Sequence, residues 1–160
     1  MQKSVDLKVK NGFDGQRVTT DQNIYTCENY LSDGTVKVGT FAFKGSASGN
    51  GEPFGVVSAT GSALVGFVER VVDASIAPTV EATDVYPASF PVIVALKGQF
   101  YVTATANVSA GMLVLVDGST GVISFASQVG EGLLDTGFKV VIPDGKTTAV
   151  NGDVIVIEKF

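Results

Sequence analysis

VIVALKGQFYVTAT, residues 92–105, sets two runs of β-branched and aromatic residues on either side of a Lys97-Gly98 dipeptide. Such residues favour the half-buried surface of a sheet, and glycine supplies the backbone freedom that a tight turn requires. Read locally, the stretch predicts strands over Pro91–Leu96 and Gln99–Thr105, with Pro87 to Ala106 as a central hairpin turning at Lys97-Gly98. The rest of the chain follows the same grammar. Val36–Lys44 alternates, and further runs stand at Phe54–Val57, Ala63–Val72, Met112–Val116, Val122–Phe125, Lys139–Ile142 and Asp153–Ile157. Between them lie Asn11-Gly12, Asp14-Gly15, Asp33-Gly34, Asn50-Gly51, Asp117-Gly118, Asp144-Gly145 and Asn151-Gly152, dipeptides that supply positive φ in tight turns. No window of a dozen residues carries an apolar stripe of helical period. The expected fold is all-β, an antiparallel β-sandwich or a small β-barrel.

Composition excludes much of catalysis. The chain has 160 residues, enough for one domain with a real core, and contains no histidine. Ser-His-Asp and Cys-His chemistry and His-bearing zinc sites are therefore out of reach. A single cysteine, Cys27, cannot form an intramolecular disulfide; it fits a reducing compartment and is expected to be a small buried hydrophobe. The first residues, MQKSVDLKVKNG, lack the apolar run of a signal peptide, and no segment downstream approaches the ~18 apolar residues of a membrane span. Net charge is −5, divided as +1 over residues 1–44 (six bases, five acids) and −6 over residues 45–160 (five bases, eleven acids). Without clustered Lys and Arg, neither nucleic acid nor a membrane is an expected partner.

Three stretches invite a chemical reading and fail it. KGSASGNGEPFG, residues 44–55, is rich in glycine, but it matches neither a P-loop nor a dinucleotide fingerprint and runs into a strand, so it is read as a loop. Asp73, Glu81 and Asp84 occupy a small-residue, turn-rich segment and are read as a solvated connector. Asp117-Gly118-Ser119-Thr120-Gly121 is not a nucleophile elbow. No catalytic, metal or cofactor constellation is found, and no enzymatic activity is expected.

The chain also echoes itself. Gly39–Phe43, Gly55–Ala59 and Gly66–Val71 return in order as Gly111–Leu115, Gly121–Phe125 and Gly137–Ile142, joined by loops of different length. Either a three-strand unit is duplicated, giving two facing β-meanders, or glycine- and valine-rich strands resemble one another by chance.

One succession goes further: a glycine-led alternating strand, then Gly55-Val56-Val57, then Val65-Gly66-Phe67-Val68, then the Val92–Val102 stretch, Val108–Asp117 and Gly121-Val122-Ile123. Over residues 36–160 this resembles the head decoration, or cement, proteins of tailed double-stranded-DNA bacteriophages. The resemblance implies a structural virion protein, made in the host cytoplasm, that binds the outer capsid surface and cements neighbouring major capsid protein subunits. Icosahedral shells are rich in three-fold sites, so a homotrimer is expected, with a dimer as the runner-up. Residues 1–35 lie outside the resemblance and read as an N-terminal arm, leaving 36–160 as the decoration domain. Within the arm, Val5, Leu7, Lys8, Val9, Lys10, Phe13 and Arg17 are the candidate capsid-binding residues, because Val5–Lys10 alternates and is fit to add a strand to a sheet edge of the shell protein or a sister subunit. The competing reading of this segment is an ordinary first strand of the same domain. The competing function is a β-sandwich module for glycan or peptide, such as an adhesin or tail-fibre domain. It is the weaker one, since sugars are commonly stacked on exposed tryptophan and the chain has none.

Overall fold

The computed structural model describes residues 12–18, 25–46, 55–70 and 84–160. They form eleven strands and, among the described residues, no helix: β1 (Thr26–Ser32), β2 (Phe41–Lys44), β3 (Val56–Ser58), β4 (Leu64–Val68), β5 (Pro91–Thr103), β6 (Val108–Ser109), β7 (Leu113–Asp117), β8 (Ile123–Ala126), β9 (Leu133–Val141), β10 (Thr148–Ala149) and β11 (Val154–Lys159).

Nine of these strands form one sheet in the order β1-β3-β2-β4-β5-β11-β9-β7-β8. An additional β1–β5 pairing closes the first five into a small barrel. Closure removes the free edges of that half, which is one way a β protein avoids unwanted pairing. The remaining strands extend from β5 as a second sheet, and β10 and β6 pair separately.

Both faces of β2 and β4 are buried, which explains their unbroken apolar runs. Ala42, Val57, Val68, Val92 and Val94, with Tyr30 packed against them, come one or two from each barrel strand and so fill its interior. Their sequence neighbours Phe41, Phe43, Phe67 and Ala95 point the other way because side chains alternate along a strand. They meet Phe100, Val102, Phe138, Val140, Ile155 and Ile157 of the second sheet in one core. Phe67 lies at its centre, with ring centroids 5.2 Å from Phe41, 5.0 Å from Phe100 and 6.2 Å from Phe138.

The expected hairpin at Lys97-Gly98 is not there. Residues 91–103 form one strand, whose first half pairs with β1 and β4 and whose second half pairs with β11. Thr26 faces Lys97 while Cys27 faces Ala95, so Leu96 is an extra residue, a β-bulge. A one-residue slip exchanges the faces of a strand. Ala95, an odd position, and Phe100, an even one, can therefore both point into the shared core. Gly98 makes the bend with φ of +136°, and a Cβ there would stand 3.1 Å from the Phe100 ring and 3.3 Å from Tyr25. Lys97-Gly98 does require a glycine conformation, but it bends a strand where a hairpin would reverse it.

The echo corresponds to a repeated topology. The copies are not the β-meanders expected, in which the second strand would be central: in each copy the first strand lies between the second and the third, giving β3-β2-β4 and β8-β7-β9. Gly39 and Gly111, which lead the two copies, both have positive φ, at +72° and +85°. The pairing of first with third strand is interrupted in both copies, after Ala42 and after Leu113. In the second copy the irregularity is stitched by the buried Thr136 hydroxyl, which donates to Val114 C=O at 2.7 Å and accepts from Phe138 N–H.

Candidate interface: an open sheet edge and an anchored N-terminal segment

Residues 12–18 are held to the body by main-chain bonds. Gly15 N–H donates to Tyr101 C=O, Tyr101 N–H to Gln16 C=O and Val18 N–H to Gln99 C=O, each at 2.9 Å, and Arg17 bridges Phe100 in antiparallel sense. Arg70 adds two bonds, from N–H to Gly15 C=O and from Nε to Asp14 C=O, and the Thr103 hydroxyl donates to Asp14 Oδ1. The Arg17 guanidinium lies 4.3 Å from the Tyr25 ring centre, with its Nε 4.0 Å from Glu69 Oε1. Tyr25 hydroxyl donates to the same Glu69 carboxylate. Burial raises the Tyr25 phenol pKa above its ordinary value, and hydrogen bonding with Cys27 and Glu69 raises it further. Arg17 is thus engaged within its own chain, whereas Phe13 is 65 % exposed. Val5, Leu7, Lys8, Val9 and Lys10 lie outside the described residues. β1 and residues 12–18 both pair with β5, so most of the described part of the expected arm is built into the sheet.

The other feature is β8. Among the described residues it has a strand on one side only, β7. Its hairpin closes through Gly121, with φ of +71° and N–H donating to Asp117 C=O; the Ser119 amide holds the Asp117 carboxyl below the usual carboxylate range. Asp117 N–H donates to Val122 C=O at 3.0 Å. Hydrogen-bonded pairs alternate along an antiparallel ladder, so they fall at 117 with 122, 115 with 124 and 113 with 126. The N–H and C=O groups of Ile123 and Phe125 consequently point away from β7, along the open edge.

That edge borders a groove of about 440 Å³. Val122, Ile123 and Phe125 line one wall, Val38 and Val85 belong to the barrel side, and Val102, Thr103 and Asp14 lie toward β5. Val85 and Val122, 41 % and 59 % exposed, are among the large apolar side chains of the described residues that are open to solvent. Sequence reasoning recognised Val122–Phe125 as a strand but missed it as an edge. A signal was present: residues 118–130, GSTGVISFASQVG, contain no charge, although exposed edges are commonly guarded by charged residues.

The chemically suggestive stretches find ordinary places. KGSASGNGEPFG begins at the end of β2 and ends beside β3, which pair antiparallel, so it joins the strands of a hairpin; residues 47–54 of it lie outside the described residues. Asp84 is exposed and receives a hydrogen bond from Arg70, while Asp73 and Glu81 lie outside the described residues. Cys27, expected to be buried, is exposed: it sits in the first part of β1, where residues 26–29 are all exposed. Among the described residues, no three His, Cys, Asp or Glu side chains are grouped as metal ligands would be.

Asp14 of the anchored N-terminal segment and the β8 strand line the same groove. The family model described as "Structural cement protein (E217 gp24/Pam3 gp6)" matches residues 1–159, and the protein belongs to that family. The match includes the first 35 residues, so the family extends beyond the segment over which the sequence resemblance was recognised. No curated protein sequence matches the chain significantly. A solved structure titled "The capsid of Myoviridae Phage XM1" contains a chain of similar fold, with TM-score 0.67 and 15 % identity over 99 % of this chain and 96 % of that one. The protein is a capsid-stabilising structural protein of a bacteriophage.

Proposed function

We propose that the protein binds the outer surface of the bacteriophage capsid and cements neighbouring major capsid protein subunits, acting as a homotrimer and without enzymatic activity. The observation that carries this reading is the family match along almost the whole chain. Such a protein works through buried area, strand pairing and many simultaneous contacts, so modest individual affinities sum to a stable lattice. The N-terminal residues Val5, Leu7, Lys8, Val9, Lys10 and Phe13 are its docking segment, adding a strand to a sheet edge outside their own fold. Two features support this assignment: residues 12–18 are anchored firmly enough to transmit force from whatever precedes them, and Phe13 is left exposed.

The test is binding to expanded empty heads. The full chain is expected to bind at fixed stoichiometry and to raise the temperature at which the heads disrupt. A chain lacking residues 1–12 is expected to keep its own melting transition and lose that reinforcement. Absence of saturable head binding by the full chain would refute the function, and a truncated chain that unfolds would refute the docking role of the segment.

A further inference from the structure

The second sheet has a face that the shared core does not use. Phe100, Ile155, Ile157 and Val140 point into that core, so Tyr101, Val156 and Val141, which alternate with them, point the other way. These three stand in register across β5, β11 and β9 and make an apolar row on the outer face. Barrel strands β2 and β4 and the β10–β6 pair lie on the opposite side, since Phe41, Phe43, Phe67, Val108 and Ala149 all join the shared core. A valine on an open sheet face keeps part of its surface in water, yet Val156 is 7 % exposed while belonging to neither core. The chain turns toward this row where its described part begins. Phe13–Gln16 is a tight turn: Gln16 N–H donates to Phe13 C=O at 2.9 Å, and Gly15 holds the φ of +80° that a type II turn needs at its third residue. After the turn the chain runs alongside β5; before it, the chain is folded back over Tyr101, whose ring a Cβ on Gly12 would meet at 2.3 Å.

We infer that residues 5–10 of the same chain lie across this outer face, with Val5, Leu7 and Val9 against the Tyr101–Val156–Val141 row and Asp6, Lys8 and Lys10 toward solvent. Residues 5–12 span up to about 25 Å when extended, and Val141 lies two strand spacings, about 10 Å, from β5, so the whole row is within reach. The occupant is the chain's own segment because the turn already delivers Gly12 onto the first residue of the row. The connector 71–83 has its ends elsewhere. Arg70 bonds Asp14 and Asp84 precedes Val85, and Asp14 and Val85 line the groove, whereas Tyr101, Val156 and Val141 do not. The consequence for docking rests on the reading of the segment as a strand donor: its apolar side is sheathed on its own chain until a capsid edge competes for it. Leaving the face breaks none of the main-chain bonds that fix residues 12–18.

Limited trypsin digestion of the full chain, read by mass spectrometry, reports how often the segment leaves the face, since cleavage after Lys8 and Lys10 follows the population of the open form. Val156→Asp puts a charge in the middle of the row and is expected to speed that cleavage about tenfold, with no change after the exposed Lys146. Tenfold corresponds to about 1.4 kcal/mol, small enough for the segment to leave while the body stays folded. If Val156→Asp does not fold, Leu7→Ser weakens the same contact from the segment, with the same expected rise. In a Cys27→Ser background, a chain carrying both Leu7→Cys and Val156→Cys is expected to close on itself as a disulfide-linked monomer on oxidation. Two results would overturn the inference: cleavage after Lys8 and Lys10 indifferent to both substitutions, or a double-cysteine chain that gives linked dimers in place of the closed monomer. Head reinforcement by the full chain is measured separately. Heads reinforced by a chain whose cleavage ignores Val156 refute the sheathing and leave the cement function standing, while a sheathed chain that binds no heads refutes that function alone.

Discussion

Replacing Phe67 by alanine tests the claim that barrel and second sheet share one core. Phe67 belongs to β4, is fully buried, and contacts Phe41 from the barrel and Phe100 and Phe138 from the other sheet. Phe→Ala in a close-packed core costs about 3–5 kcal/mol, through lost transfer energy and the cavity left behind. Aromatic pairs contribute beyond their buried area, so three ring neighbours place this site toward the upper end, about 4–5 kcal/mol. In a chain of this size each kcal/mol lowers Tm by about 2–4 °C, so the expected fall is about 8–20 °C. A thermal melt measures the fall in Tm, and guanidinium unfolding followed by far-UV circular dichroism and by tyrosine fluorescence measures the loss of free energy, since the chain has four tyrosines and no tryptophan. The two probes are expected to move together, because the lost contacts belong to both halves. A loss below about 1 kcal/mol, or two separate transitions in the parent protein, would refute the shared core.

Gly98→Ala is expected to destabilise by about 1–3 kcal/mol, since a φ of +136° is strained for any side chain and the new methyl meets Phe100 and Tyr25; unchanged stability in the same assay would mean that residue 98 does not bend the strand. Alkaline pH probes the Tyr25–Glu69–Arg17 cluster. The folded-state pKa of Tyr25 is raised, so its contribution is complete below the ordinary tyrosine value of about 10 and is lost as pH rises past it, when the unfolded chain ionises first. Tyr30 acts in the same direction, pushed up to about 12 chiefly by its hydrogen bond to Glu28. Tyr25→Phe is therefore expected to flatten the fall of the denaturation midpoint across that pH range, and an unaltered slope would count against the cluster.

Much of this protein was legible in its residues because the signals are local. Alternation of apolar positions marked the strands, and Asn-Gly and Asp-Gly marked turns. The matching glycine-led triplets pair in the same order in both copies, although that order is not the meander expected, because strand pairing places the first strand of each triplet between the other two. The absence of histidine removed whole classes of chemistry before any fold was known. What stayed hidden depends on partners distant in sequence. A hairpin and a bent strand place the same local demand on Gly98, and the choice between them is made by β11, some fifty residues later, which lies alongside residues 98–103. Residues 26–32 read as part of an arm because nothing in TCENYLS announces that β5 and β3 will flank it and complete a barrel. The same holds for β8: Val122–Phe125 is a strand by composition, but only the tertiary arrangement decides that a neighbour lies on one side of it and a groove on the other. Strand propensity is a property of adjacent residues, and strand pairing is a property of the whole chain; the first was written locally, and the second arose when the chain closed on itself.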